Sequence, residues 1–192
     1  MKRLSIFIFM LSILSVVTFN TVKAKDLENT LYLDLKDGRV TIEMYPESAP
    51  NHVARIKELV KEGFYDGLKF HRVIDGFMAQ TGDPLGNGTG GSGKNLKAEF
   101  NDRMHVRGTL SMARSANPDS ADSQFFIMFD NSPHLDGQYT VWGQVIDGID
   151  HVMEIKRGSQ YNNGSVDNPD TIIKMQTAED AAKAEKKEEK AS

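Results

Sequence analysis

Two Asp-Gly pairs, each set between short apolar runs, constrain this chain more than any other feature. An Asp-Gly pair supplies the positive φ angles of a two-residue turn, so it signals a β-hairpin when strand-like segments flank it. Around Asp37-Gly38, Leu31, Leu33 and Leu35 alternate with other residues on one arm, and Val40, Ile42 and Met44 do so on the other. That period of two predicts a half-buried antiparallel pair. Around Asp75-Gly76 the arms are Phe70–Ile74 and Phe77–Thr81, and here the cargo is unusual. Arg72 lies among Phe70, Val73 and Ile74, while Gln80 follows Phe77 and Met78. A cation and a neutral amide amid that much apolar surface fit either a snorkelling surface strand or a pocket with one strong hydrogen-bond donor.

Further strand-like runs recur at Gly108–Ala113, Gln124–Phe129, Thr140–Ile146 and Thr171–Gln176. One helix is predicted from Ser48-Ala49-Pro50, with Ser48 as cap, Pro50 in the first turn and Val53, Ile56, Leu59 and Val60 as its apolar stripe, ending at Gly63. A second fits Ile149–Lys156, stopped by Gly158. About eight strands and two helices without a strand-helix rhythm favour a closed or nearly closed antiparallel β architecture, with helices plugging its ends. Between Leu85 and Gly93, five of nine residues are glycine, which predicts an exposed loop whose backbone can approach a ligand closely. Gly88, Gly90 and Gly93 formally match a dinucleotide fingerprint, but no hydrophobic strand leads in and no clear helix follows, so that reading is rejected.

The 192 residues, 39% hydrophobic and 26% charged, suit one globular domain. Residues 1–24 stand apart. Lys2 and Arg3 precede an apolar run from Leu4 to Phe19, then Val22-Lys23-Ala24 offers a small-x-small site, which reads as a secretory signal peptide cleaved before Lys25. An uncleaved anchor is the alternative; the run is short for a spanning helix, and serines and a threonine dilute it. Losing Lys2, Arg3 and Lys23 and no acid takes the formal charge from −4 to −7, which argues against a nucleic-acid partner. With no cysteine, disulfides, thiolate metal sites and a cysteine nucleophile are excluded. Together these features predict a periplasmic or extracellular protein with one domain over 25–177. The Ala-, Glu- and Lys-rich stretch 178–192 is expected to be a solvated extension, with Glu179 and Lys183 at helical i,i+4 spacing.

No serine sits in a Gly-x-Ser-x-Gly elbow, and the five histidines share no ligand spacing, so neither a hydrolase nor a metal site is signalled. What does recur on successive strands is apolar side chains with neutral hydrogen-bonding groups: Phe77, Met78 and Gln80, then Met112-Ala113, then Gln124-Phe125-Phe126, then Leu135. A lone Phe or Met is ordinary core, but a buried amide costs free energy unless paired. With Arg72 these residues describe an apolar groove with a few fixed donors.

The block from Phe70 to Asp83, Asn87-Gly88-Thr89-Gly90-Gly91, Leu110-Ser111-Met112-Ala113, Ser123-Gln124-Phe125-Phe126-Ile127 and Leu135-Asp136-Gly137 resemble, in order, the cyclophilins, which are peptidyl-prolyl cis-trans isomerases. The likeness runs from about Leu31 to Thr177. It implies a closed eight-stranded antiparallel β-barrel capped by two α-helices, with the groove on its outer face. It also implies rotation about X-Pro bonds in proline-containing, unfolded or extended polypeptides, without metal or cofactor, by a monomer. Arg72 matches the family's catalytic arginine and Gln80 the glutamine that orients it. Phe77, Met78, Phe126 and Leu135 match the pocket for the proline ring, so Arg72, Gln80 and Phe77 form the expected catalytic set. Gln124 lies beside Gln80. Gly88, Ala113, Arg114 and Ser115 match the path of the residues before proline, with the Arg114 backbone bonding the peptide.

Three positions depart from better-known members. His134 stands where many carry a tryptophan that contacts cyclosporin, which implies weak cyclosporin binding. Tyr139 replaces a groove histidine, and Arg114 a frequent asparagine. A proline-peptide binding module or holdase with little turnover remains the alternative to an enzyme.

Overall fold

The computed structural model describes residues 27–190, so the expected signal peptide and its cleavage point lie outside the described residues. Eight strands form one antiparallel sheet: β1 (Thr30–Leu35), β2 (Gly38–Met44), β3 (Arg72–Ile74), β4 (Met78–Thr81), β5 (Thr109–Met112), β6 (Phe125–Met128), β7 (Val141–Asp147) and β8 (Lys174–Thr177). Their spatial order is β3-β4-β6-β5-β7-β2-β1-β8. The two outer strands do not pair through a ladder of their own. The curled sheet is instead joined just ahead of them, where Gly67 N–H donates to Ile172 O (2.8 Å), Ile172 N–H to Leu68 O (2.9 Å) and Phe70 N–H to Asp170 O (2.9 Å). The expected closure is therefore carried by irregular backbone, which satisfies the groups an open sheet edge would leave unpaired. It also explains why the run from Thr171 forms a strand only from Lys174.

Both predicted hairpins are present, but neither turns on its Asp-Gly pair alone: the first loop is Lys36-Asp37, and the second takes in Phe77 beyond Asp75-Gly76, so that Ile74 faces Met78. Leu35 faces Gly38 across the first turn, and the alternating Leu31, Leu33, Leu35, Val40, Ile42 and Met44 are all buried. They share one core with Tyr65, Phe70, Phe125 and Trp142. Every residue of β5 and β6 is buried, because both faces of these strands are covered. Period two divides β6 cleanly: Phe125 and Ile127 point into the main core, while Phe126 and Met128 join a second, smaller cluster with Met78 and Leu135. That second cluster is the floor of the groove.

Helix α1 (Pro50–Lys61) buries the predicted stripe Val53, Ile56, Leu59 and Val60, and Gly63 follows it at φ +69°. Its cap differs from expectation. Ser48 does not cap; its hydroxyl accepts from Arg103 Nε (2.9 Å), and Ala49 occupies the cap position. The free amides are met instead by Glu99, whose carboxylate accepts from Asn51 N–H (3.1 Å) and His52 N–H (3.0 Å). Helix α2 (Ile149–Met153) starts where expected but ends three residues before Lys156, whose amide is taken by the Asp170 carboxylate (2.8 Å). Gly158 is not its stop. It lies where a Cβ would run into Gly164 O, so two backbones cross there. Past the sheet, the expected solvated extension forms helix α3 (Ala178–Glu189), capped by the Thr177 hydroxyl, which accepts from Asp180 N–H (3.0 Å). It buries Ala178 and Ala181, and the Lys183–Glu179 pair closes to 2.6 Å on its outer side.

Candidate active site

The hairpin register builds the site. Arg72 pairs with Gln80, Gln80 with Phe126, and Phe126 with Ser111, one residue from each of four adjacent strands. Directly paired residues project to the same face of a sheet, so a guanidinium, an amide and an aromatic ring are set side by side by backbone pairing alone. The Asp75-Gly76 turn that fixes this register has Gly76 at φ +66° and closes with Phe77 N–H on Ile74 O (3.1 Å).

Arg72 is held by neutral oxygens. Nη1 donates to Gln80 Oε1 (3.1 Å), Nε to the Asn163 carbonyl (3.1 Å) and Nη2 to Asn163 Oδ1 (3.0 Å). A guanidinium has five N–H groups, so two have no partner among the described residues. No carboxylate pairs with it there, and its charge is not cancelled locally. Burial pulls its pKa below the ordinary arginine value, yet a guanidinium remains protonated at any physiological pH.

Gln80 passes the constraint on. Its Nε2 donates to Gln124 Oε1 (2.9 Å), and Gln124 Nε2 donates to Gly88 O (3.1 Å) and Gly90 O (2.8 Å). Because a guanidinium only donates and a backbone carbonyl only accepts, the two ends fix the orientation of both amides. The glycine loop is anchored in turn by Asp83, 1% exposed, which accepts from Leu85 N–H (2.8 Å), Asn87 N–H (3.0 Å) and Gly88 N–H (2.5 Å). Burial opposes the charge on Asp83, but these amides outweigh it and hold the carboxyl below its ordinary value. Gly90 must be glycine: a Cβ there would collide with the Asp83 carboxylate.

Two adjacent cavities flank this row. One, of about 170 Å³, is lined by Arg72, Phe77, Met78, Gln80, Ala113, Arg114, Phe126, Leu135 and Tyr139. The other, of about 310 Å³, is lined by Gly88, Ser115 and Gln124 together with Gln80, Ala113 and Arg114, which separate the two. The snorkelling alternative for Arg72 is thereby set aside. His134 lines neither cavity; its ring stacks on Phe77 at the rim, with centroids 6.0 Å apart. The Arg114 guanidinium folds over Tyr139, 4.5 Å from the ring centroid, and donates to Gln138 O (2.9 Å). The Arg114 backbone amide and carbonyl make no hydrogen bond among the described residues. They are available to an extended peptide laid beside them.

Sequence reasoning missed Asn163. It adopts the left-handed conformation (φ +48°) before Gly164, and that geometry turns both its oxygens toward Arg72. Asn163-Gly164 is visible as a turn signal, but nothing local indicates what the turn grips. No group of three or more His, Cys, Asp or Glu placed to hold a metal occurs among the described residues.

Residues 30–177 match the family described as cyclophilin type peptidyl-prolyl cis-trans isomerase/CLD. A probable peptidyl-prolyl cis-trans isomerase of Brucella suis is 57% identical over 173 residues, 84% of this chain and 88% of the relative. Peptidyl-prolyl cis-trans isomerase B of Bacillus subtilis is 48% identical over 132 residues, 67% of this chain and 92% of the relative. Among solved structures, a cyclophilin from Hirschia baltica superposes with a TM-score of 0.72 at 29% identity, covering 81% of this chain and 76% of that one. A Cryptosporidium parvum cyclophilin crystallised in the presence of the dipeptide Ala-Pro gives 0.70 at 27% identity, covering 77% and 98%. This chain belongs to the cyclophilin-type peptidyl-prolyl cis-trans isomerases, and peptidyl-prolyl isomerisation is its activity. Cyclophilins bind proline-containing peptides.

Proposed function

We propose that Arg72 is the catalytic group, that Gln80 positions it, and that the protein acts on X-Pro bonds of exported polypeptides, assisting their folding. The observation that carries the first part is an uncancelled guanidinium, with two N–H groups to spare, in the wall of an apolar cavity. An X-Pro bond has little trans preference but a rotation barrier of about 18–20 kcal/mol, because resonance gives C–N partial double-bond character. No bond is made or broken, so no nucleophile is needed. When the amide twists, the proline nitrogen becomes pyramidal and regains a lone pair. A donor aimed at that nitrogen gains a hydrogen bond chiefly at the transition state, which is the kind of contact that raises turnover. In a site shielded from water the contact is stronger, and each ~1.4 kcal/mol is tenfold in rate.

Phe77, Met78, Phe126 and Leu135 hold the proline ring in this reading, and the residues before it run past Ala113, Arg114, Ser115 and Gly88. Tyr139 lines the proline cavity beside Arg114, and His134 stacks on Phe77 at its rim. Isomerisation of a short Ala-Pro peptide, followed by exchange NMR, tests the assignment: Arg72→Ala abolishes most of the enhancement, whereas unchanged exchange refutes it. Export rests on the charged, apolar and small-residue pattern of residues 1–24. Amino-terminal sequencing of the protein recovered from the periplasm is expected to begin at Lys25; recovery only from the cytoplasm, beginning at Met1, contradicts it.

A further inference from the structure

We infer that His105 is a positioning residue for this isomerisation, tying the walls of the proline cavity together beneath its floor, and that protonation of its ring lowers activity in acid. The inference rests on the reading of the cavity given above.

No serine sits in a Gly-x-Ser-x-Gly elbow, yet the fold puts an aspartate, a histidine and a serine in a row. Asp136 Oδ1 lies 2.9 Å from His105 Nδ1, and His105 Nε2 lies 3.0 Å from Ser111 Oγ. The row resembles a hydrolytic triad, but a nucleophile must be reachable. Ser111 is fully buried and His105 is 1% exposed; neither lines either of the two cavities described above, so the row serves the structure around it.

The contacts of His105 reach three parts of the cavity wall: the Pro133–Leu135 turn, the Ser111–Phe126 pair and Tyr139. Asp136 follows Leu135, and its carboxylate also accepts from the His105 amide (2.7 Å), while His105 O accepts from Ser132 N–H (2.8 Å). The short turn Pro133–Leu135 is therefore pinned to His105 at both ends. Ser111 pairs in register with Phe126 and leads into Met112-Ala113. The imidazole lies nearly parallel to the Phe126 ring (centroids 6.2 Å, 20°) and edge-on to Tyr139 (6.4 Å, 81°). Phe126, Leu135, Tyr139 and Ala113 thus depend on one buried ring.

Ser111 has a single hydroxyl proton, and two acceptors compete for it: His105 Nε2, and Thr140 O at 3.0 Å. With a neutral ring whose Nδ1–H faces Asp136, Ser111 donates to Nε2, and Thr140 O keeps the Met112 amide (3.0 Å). With a protonated ring, Nε2 donates to Ser111 Oγ and the hydroxyl turns to Thr140 O. Protonation therefore reorients the hydroxyl and puts a positive charge under the same cavity as Arg72. The titratable groups facing the ring are the Asp136 carboxylate, His134 and Tyr139; Arg107, two residues on, turns away to Asp150 (3.4 Å). Burial outweighs Asp136 and lowers the His105 pKa from its ordinary value.

Arg72 stays charged and the reaction moves no proton, so the chemistry itself supplies no pH dependence near neutrality. The test is kcat/KM for an Ala-Pro peptide as a function of pH, in the wild type and in His105→Gln, His71→Gln and His134→Gln. In the wild type we expect a fall of about three- to tenfold as pH drops below the ordinary histidine range. The step survives in the His71 and His134 variants, and is absent from His105→Gln, whose activity is low throughout. A flat wild-type profile, or a step that persists in His105→Gln, overturns the inference. Should His105→Gln not fold, the ring ¹⁵N signals of wild-type His105 decide it. Their midpoint coincides with that of kcat/KM if the inference holds, and a separation of more than about one pH unit overturns it. Failure here leaves the Arg72 assignment standing, since that is judged by Arg72→Ala alone.

Discussion

Asn163 grips Arg72 twice, through its backbone oxygen to Nε at 3.1 Å and through its side-chain oxygen to Nη2 at 3.0 Å. The two bonds fix the plane of the guanidinium, and Gln80 fixes its third side. Asn163→Gly keeps the left-handed backbone and the carbonyl but loses the side-chain bond. We expect kcat to fall about tenfold with KM little changed, since aim at the twisted amide suffers more than peptide binding. Asn163→Ala should show the same loss and be about 1–2 kcal/mol less stable in urea than Asn163→Gly, because a Cβ resists φ +48° and alanine lacks the polar side chain that lets asparagine tolerate it.

Glu99 joins the segment that follows the glycine-rich loop to helix α1, accepting from two amides and from the ring of the fully buried His52 (2.6 Å). Glu99→Ala leaves these donors unmet, and we expect it to cost about 2–4 kcal/mol in denaturant unfolding while the folded fraction stays active. The same group shapes the acid limb. Although burial opposes its charge, bonds from His52 and Asn51 hold the Glu99 pKa below 4.5. A depressed carboxylate stabilises fully above its unfolded value, and that contribution is lost as pH falls through the folded one. Burial likewise lowers His71 and His105, so the unfolded chain takes up protons first and stability begins to decline below 6.5. Stability measured against pH should fall in two stages, and Glu99→Ala should flatten the lower one only.

His134 stacks on Phe77 at the rim, where its small ring offers less apolar surface than an indole. Cyclosporin should therefore inhibit weakly, and His134→Trp should tighten inhibition by about tenfold or more. Nanomolar inhibition of the unaltered protein contradicts this.

What was legible in the chain was what short-range pattern controls. Alternation showed β1 and β2, and the Asp75-Gly76 pair put Arg72 and Gln80 on facing arms of one hairpin; their direct pairing was not legible, because the loop also takes in Phe77 and so sets Ile74 opposite Met78. What was hidden depends on residues far apart in sequence. Ser48 looked like a cap because nothing local announces that Glu99 will meet the helix end, or that Arg103 will take the serine. Asn163 lies 91 residues from the arginine it holds. Thr171 and Ile172 read as strand, yet they are spent on the seam with Gly67–Phe70. The 178–192 stretch looked like solvated tail, because two alanines are a faint signal for a buried helix edge.

The central claim is that Arg72 acts on the twisted amide rather than on the resting peptide. Peptide affinity and exchange rate, measured together on Arg72→Ala and Arg72→Lys, test it most directly. We predict that kcat/KM falls about 100-fold or more in both, since lysine cannot reproduce the planar fork, while the Kd for an Ala-Pro peptide changes less than about tenfold. Exchange enhancement equal to wild type in Arg72→Ala, or a loss wholly accounted for by weaker peptide binding, would contradict it.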